Sequence, residues 1–188
     1  MTTPLIILIT AAALFIIYGI MVSNQIIGYK NAVLQAYGSI EIYLKNRFDL
    51  IPNLVSLLNK YMAHEKEVLL KVTELRSKTD DNAASQEEKI NASNEFSGLM
   101  NNFNLTAENY PELKADTQFL KLQHELSDLE DYISAARRAY NANVTAYNNK
   151  IQMFPASIIA GFRKDKTQPL LEIPKAEQKE VNINQLLK

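Results

Sequence analysis

The sequence predicts an all-α fold: an N-terminal transmembrane helix followed by an antiparallel bundle of long helices. Three observations carry this. A run from Pro4 to Val22 holds no charged residue, two long apolar stripes recur every seven positions, and the 188 residues include only five glycines and six prolines. So few turn-forming residues leave little material for a turn-rich β architecture. With 47% hydrophobic and 22% charged residues, the chain has the composition of a foldable protein rather than a disordered one.

The first element is the run PLIILITAAALFIIYGIMV, Pro4 to Val22. At about 1.5 Å of rise per residue it spans roughly the ~30 Å hydrocarbon core of a bilayer. Thr10 can return its hydroxyl to a preceding carbonyl, and Tyr18 suits the headgroup boundary. A cleaved signal peptide would want a basic segment ahead of the apolar run. Met1-Thr2-Thr3 offers none, and no small-x-small cleavage site follows, so residues 1–28 are expected to be an uncleaved anchor with its juxtamembrane helix. Lys30, then Lys45 and Arg47, lie on the C-terminal flank. The positive-inside rule therefore puts the N-terminus outside and the following domain in the cytoplasm.

Asn24 to Gly28 contains no proline or turn cluster, and residues 29–155 are expected to form the bundle. Val33, Tyr37, Ile40, Leu44, Ile51, Leu54, Leu58, Tyr61, Val68, Val72 and Leu75 advance by alternating steps near three and four. That is the pattern of long helices packed side by side. Pro52 cannot donate to the carbonyl of Phe48, so a kink or break is expected there, with Asp49 placed to cap a restarted helix. Ser77 to Ala84 is polar and aperiodic, hence a loop. Ser85 and Glu88 form a capping box opening a shorter helix through Phe96, Leu99, Met100 and Phe103, which ends before Asn109-Tyr110-Pro111.

The second stripe is Phe119, Leu122, Leu126, Leu129, Ile133, Ala136, Tyr140, Val144, Tyr147, Ile151 and Phe154, a helix stopping at Pro155. Each such helix leaves its apolar face wet when alone, so the stripes require each other. Residues 156–188 change character. An apolar patch, Ser157-Ile158-Ile159-Ala160-Gly161-Phe162, precedes Arg163-Lys164-Asp165-Lys166 and a proline-containing tail, expected to be mostly extended or disordered.

Composition excludes several chemistries. Without cysteine there is no disulfide, thiolate metal site or cysteine nucleophile. A net charge of −1 supplies no basic field for nucleic acid, and the scattered glycines form no phosphate loop.

Arg47-Phe48-Asp49-Leu50-Ile51-Pro52-Asn53-Leu54-Val55, followed by Tyr61-Met62-Ala63-His64-Glu65, resembles the signature of the LemA family. Tyr110-Pro111-Glu112-Leu113-Lys114-Ala115 is similar to the family's second block. Phe119-Leu120, Leu122-Gln123 and Glu125-Leu126 continue it into Ala135-Ala136-Arg137-Arg138 and Tyr140-Asn141. Phe154-Pro155 and Glu172-Ile173-Pro174 complete the match, over about Tyr29 to Pro174. The chain departs from the pattern after Pro155, where the family's Phe-Gly-Phe element is shortened to Gly161-Phe162-Arg163. The resemblance implies a bacterial membrane protein with an N-terminal anchor, a long-helix bundle and no enzyme activity. It also implies association with membrane remodelling, or with membrane metalloproteases.

Among candidate sites, His64-Glu65 and His124-Glu125 could in principle meet across two long helices. Neither follows a working zinc or di-iron spacing, so no metal, cofactor or catalytic residue is expected. Arg47 and Glu65 fall on the apolar stripe, where a buried charge is tolerated only when paired. Arg47 and Glu65 are expected to pair and, with Asp49 and Arg137 or Arg138, to form an internal network fixing helix register; the alternative is that the long side chains snorkel to the surface. Glu112, Asp116, Asp128, Glu130 and Asp131 read as a solvated outer face. Ile158, Ile159 and Phe162 either cap the bundle end or touch lipid or another subunit. Gly19 and Ser23 form a small-x-x-x-small pair suited to close helix packing.

The expected function is a non-enzymatic, single-pass membrane scaffold of the bacterial inner membrane. Its partners would be the bilayer, further copies of itself and a membrane protein. The alternatives are an adaptor for a membrane metalloprotease and, in a third class, a metal-dependent helical enzyme.

Overall fold

The computed structural model describes residues 2–62, 70–75 and 85–172. All its regular elements are helices, and no strand occurs among the described residues. They are α1 (Thr2–Asp49), α2 (Ile51–Tyr61), α3 (70–75), α4 (Gln86–Ala107), α5 (Pro111–Ala115), α6 (Thr117–Gln152) and α7 (Ala156–Arg163). The expected loop at Ser77–Ala84 lies outside the described residues.

The elements divide into two compact units. The first combines Met1–Ser39 with Ala136–Glu172, and the second contains Ile40–Ala135. Helices α1 and α6 contribute to both.

In the first unit the N-terminal part of α1 is long and apolar enough to cross a membrane. Leu5, Leu8, Leu14, Phe15, Ile17, Ile20 and Met21 lie more than half exposed, a surface water would not tolerate. Thr10 donates its hydroxyl to the carbonyls of Ile6 and Ile7 and is thereby satisfied within the helix. Burial begins inside the apolar run itself. Val22 and Ile26 are in the core, continued by Val33 and Tyr37, so the seven-residue stripe starts earlier than Val33. Against them pack Tyr140, Val144, Tyr147 and Ile151 of α6 and Ala156 and Ala160 of α7, and the Tyr37 and Tyr140 rings meet edge to face at 6.0 Å.

In the second unit Ile40, Leu44, Phe48, Ile51, Leu54 and Leu58 are buried, as are Val72 and Leu75. Phe96, Phe103, Phe119, Leu126 and Ile133 are buried in the same unit. Within it α1 and α6 run antiparallel: Tyr43 stacks on Tyr132, and one turn further along α1, Arg47 reaches Glu130, earlier on α6.

Three local expectations are corrected. Asp49 caps nothing. It is exposed and ends α1, while Leu50 holds the N-cap position of α2 without a side-chain hydrogen bond. The break is one residue long, Pro52 has no amide to cap, and the amides of Asn53 and Leu54 already donate to the Leu50 carbonyl. The segment after Pro155 is not extended at its start, because residues 156–163 form α7. Lys164, in the left-handed conformation, ends that helix by donating its amide to the Ala160 and Gly161 carbonyls. Phe154, expected on the buried stripe, is 81% exposed because α6 ends at Gln152 and the chain turns there. The capping box is present: the Ser85 amide donates to Glu88 and the Glu88 amide to the Ser85 hydroxyl.

Candidate functional site

The second unit holds a polar cluster inside its apolar core. Arg47 stands on the inward face of α1 only because the stripe carries it there, and its side chain is 3% exposed. One guanidinium nitrogen lies 2.6 Å from Glu130 and donates to the Ser93 hydroxyl at 3.1 Å. Another donates to the Ser97 hydroxyl at 3.0 Å. Ser93 and Ser97 are one turn apart on α4, and Phe96 between them sets its ring 4.8 Å beneath the guanidinium carbon. Three helices are thus joined by one cation, held by a carboxylate, two hydroxyls and a ring face. Charge-assisted bonds of this kind hold geometry better than apolar contact, because they are directional.

Glu130 is therefore not part of a solvated outer face. Glu65 and His64 lie outside the described residues. Arg137 is buried in the first unit, on α6.

A second polar group sits where α5 gives way to α6. One Asp116 carboxylate oxygen accepts the amides of Gln118 and Phe119, so it caps α6. The other accepts the Tyr61 hydroxyl at 2.7 Å and the Lys60 ammonium at 3.3 Å, tying α2 to α6. The Tyr61 hydrogen bond is the main reason its carboxyl is held down at about 2, with the two amides and Lys60 adding to it against the cost of desolvation. Lys60 is raised by its contacts with Tyr61 and Asp116. Beside this knot Asn53, Ser56, Lys60, Gln118, Lys121 and Glu125 line an open groove of about 450 Å³. Two signature positions, Asn53 and Glu125, are among the residues that line it. Tyr110 is half-buried and Pro111 opens α5, placing the turn that delivers Asp116.

The first unit has its own polar device. Asn141 exchanges two hydrogen bonds with the Leu171 backbone, each 2.9 Å, and Asn148 does the same with Gln168. Tyr140 donates to the Pro169 carbonyl at 3.4 Å, and burial pushes its hydroxyl up. The tail from residue 165 to 172 is thereby laid along α6. Pro155 is half-buried at the turn, Ile159 is half-buried, and Ile158 and Phe162 are exposed.

Several of these groups escaped the sequence reading. Ser93 and Ser97 interrupt an apolar face of α4, which was a usable signal. Asp116 precedes a long helical stripe, which is the ordinary position of a cap. Asn141 and Asn148 sit seven apart inside a helix, where asparagine is unfavourable without a reason. His124 is exposed and pairs with Asp128 on its own helix. Among the described residues no three His, Asp or Glu side chains are grouped to hold a metal ion.

These helices coincide with a known sequence family. The model of the LemA family matches residues 36–184. Protein LemA of Metamycoplasma hominis is 28% identical over 137 residues, which cover 73% of this chain and 63% of that relative. The chain thus spans less than two thirds of that relative's length. The signature residues at Arg47, Asn53, Glu125 and Tyr140 lie inside the matched region, and the chain belongs to the LemA family.

Proposed function

We propose that this protein is a non-enzymatic, single-pass scaffold of the bacterial cytoplasmic membrane that assembles with its own copies and organises or remodels the bilayer. One observation carries the reading: α1 is a single 48-residue helix whose first part exposes apolar side chains and whose later part supplies core residues. The domain is built onto the anchor rather than strung from it, so packing of the bundle and tilt of the anchor are mechanically linked. Confinement to a membrane raises the local concentration of such chains, and weak lateral contacts gain avidity. The basic residues following the anchor favour a domain on the cytoplasmic side.

The groove lined by Asn53, Lys60, Lys121 and Glu125 favours a second reading, an adaptor that docks a membrane protein partner such as a metalloprotease.

The deciding measurement is the mass of the full-length protein in mild detergent, by mass photometry with negative-stain imaging. A defined assembly supports the scaffold; a monomer counts against it and favours the adaptor. The comparison variant is Gly19→Ile. A side chain at Gly19 meets nothing within 4 Å in the chain, so the fold tolerates it, while close packing between anchors does not. Removing residues 1–28 is a poorer control, because it strips Val22 and Ile26 from the core.

A further inference from the structure

Helix α7 is apolar on both faces, although only one is covered. Ala156 and Ala160, four residues apart, are buried; Ile158 and Phe162, also four apart and on the opposite side, are 49% and 86% exposed. Met153 and Phe154, in the turn that leads into α7, are 65% and 81% exposed. Four large apolar side chains therefore face outward at one end of the first unit.

Two measures within that unit place this end beside the mouth of the anchor. Arg163 donates to the hydroxyl of Ser23, the first polar residue after the uncharged run. Independently, Tyr37 touches Tyr140, and α6 runs on for twelve residues to Gln152, about 18 Å at helical rise. The same distance back along α1 from Tyr37 reaches Gln25, so Met153 and Phe154 stand level with Asn24 and Ser23. The apolar patch is continuous in height with the point where α1 emerges from its exposed apolar stretch. Lys164 and Lys166 are exposed just beyond it.

We propose that α7 and the turn before it form a second membrane contact: an interfacial foot that inserts Phe154, Ile158 and Phe162 into the headgroup–acyl boundary and sets Lys164 and Lys166 against anionic headgroups. An amphipathic segment lying in the interface with basic residues at its rim has the required chemistry. The inference rests on the reading of α1 as a membrane-spanning helix. Its consequence is geometric. A single helix can tilt and rotate, whereas a helix and a foot together fix the first unit's angle to the bilayer.

The test uses the full chain, which has no native cysteine, in vesicles of phosphatidylethanolamine and phosphatidylglycerol. Single spin labels are placed by Leu14→Cys, Phe162→Cys and Ala139→Cys, all at exposed positions. Collision rates with oxygen and with a water-soluble nickel chelate are then compared. Oxygen should dominate at Leu14 and Phe162, and the chelate at Ala139, which lies farther down α6 from the foot. A label at Phe162 that favours the chelate while Leu14 favours oxygen overturns the foot and leaves the anchor standing. Shielding of Phe162 from both reagents also overturns it, since protein would then cover the patch. A chelate-accessible Leu14 removes the membrane reading itself.

Discussion

The Arg47 guanidinium lies 2.6 Å from the Glu130 carboxylate, with the arginine side chain 3% exposed and the glutamate 35%. The asymmetry decides what each substitution does. Glu130 can turn to water if its partner is lost, but Arg47 cannot. Removing Glu130 takes a carboxylate away from a buried cation that the Ser93 and Ser97 hydroxyls and the Phe96 ring also hold.

Glu130→Gln should therefore destabilise the fold by about 1–3 kcal/mol, the cost of losing a charge-assisted bond to a buried cation. Arg47→Met, which removes the cation and keeps an apolar chain of similar reach, should make the glutamate substitution nearly silent. Chemical unfolding followed by circular dichroism in detergent gives the double-mutant cycle. Additivity within about 0.5 kcal/mol would show that the two groups are not coupled.

Phe96 tests the same cluster from the other side. It is fully buried, stacked edge to face on Phe48 at 6.4 Å and lying under Arg47. Phe96→Ala should cost about 3–5 kcal/mol through the cavity it leaves. Phe96→Leu fills most of that space but gives Arg47 no ring face, and should still cost about 1–2 kcal/mol. If the leucine variant unfolds at the wild-type denaturant concentration, the ring face contributes nothing.

The positions of these groups were legible in the sequence to different degrees. A seven-residue stripe announces which face of a helix is buried, and it placed Val33, Ile40, Leu44, Leu54 and Leu58 inside along with Arg47. It does not state how two helices are rotated against each other, and that rotation chooses the partner of a buried charge. Glu65 shares the stripe and lies outside the described residues. Glu130 lies at the edge of the α6 stripe, between Leu129 and Ile133, and only the docking of α4 brings Ser93 and Ser97 to the same cation. Asp49 does not cap α2. The interruption near Pro52 is one residue long and puts Leu50, not Asp49, at the N-cap position. The foot was half legible: its apolar composition could be read, but its height beside Ser23 depends on where α6 stops.

Asp116 gives the fold an acid-sensitive joint. Its carboxyl is held down at about 2, below the ordinary 3.8, chiefly by the Tyr61 hydroxyl. A carboxyl lowered in the folded state contributes stability that is fully present above its unfolded value and is lost as pH falls from about 4 toward 2. Asp116→Asn should remove that part of the acid dependence, so the variant's unfolding midpoint changes less than wild type's over this window. Tyr61→Phe should do so in part, leaving the caps to Gln118 and Phe119 intact. Equal acid slopes for wild type and Asp116→Asn would show that the joint does not titrate there.

The tail along α6 depends on a match of lengths. Asn141 and Asn148 lie seven residues apart, about 10.5 Å along the helix, and Gln168 to Leu171 spans about 10 Å as extended chain. Each asparagine can therefore offer its amide nitrogen to a tail carbonyl and its oxygen to a tail amide. The two ends of the side chain have opposite roles, which makes the contact testable without changing its size. Asn148→Asp keeps the acceptor for the Gln168 amide but sets a second oxygen against the Gln168 carbonyl, so it should release the tail almost as fully as Asn148→Ala. Loss of that pair should weaken local closure by about 1–2 kcal/mol, seen as roughly tenfold faster hydrogen exchange at the Gln168 and Leu171 amides with core amides of α6 unchanged. Faster exchange in the alanine variant alone would mean that the acceptor half suffices. Unchanged exchange in both would mean that the tail is held by other contacts.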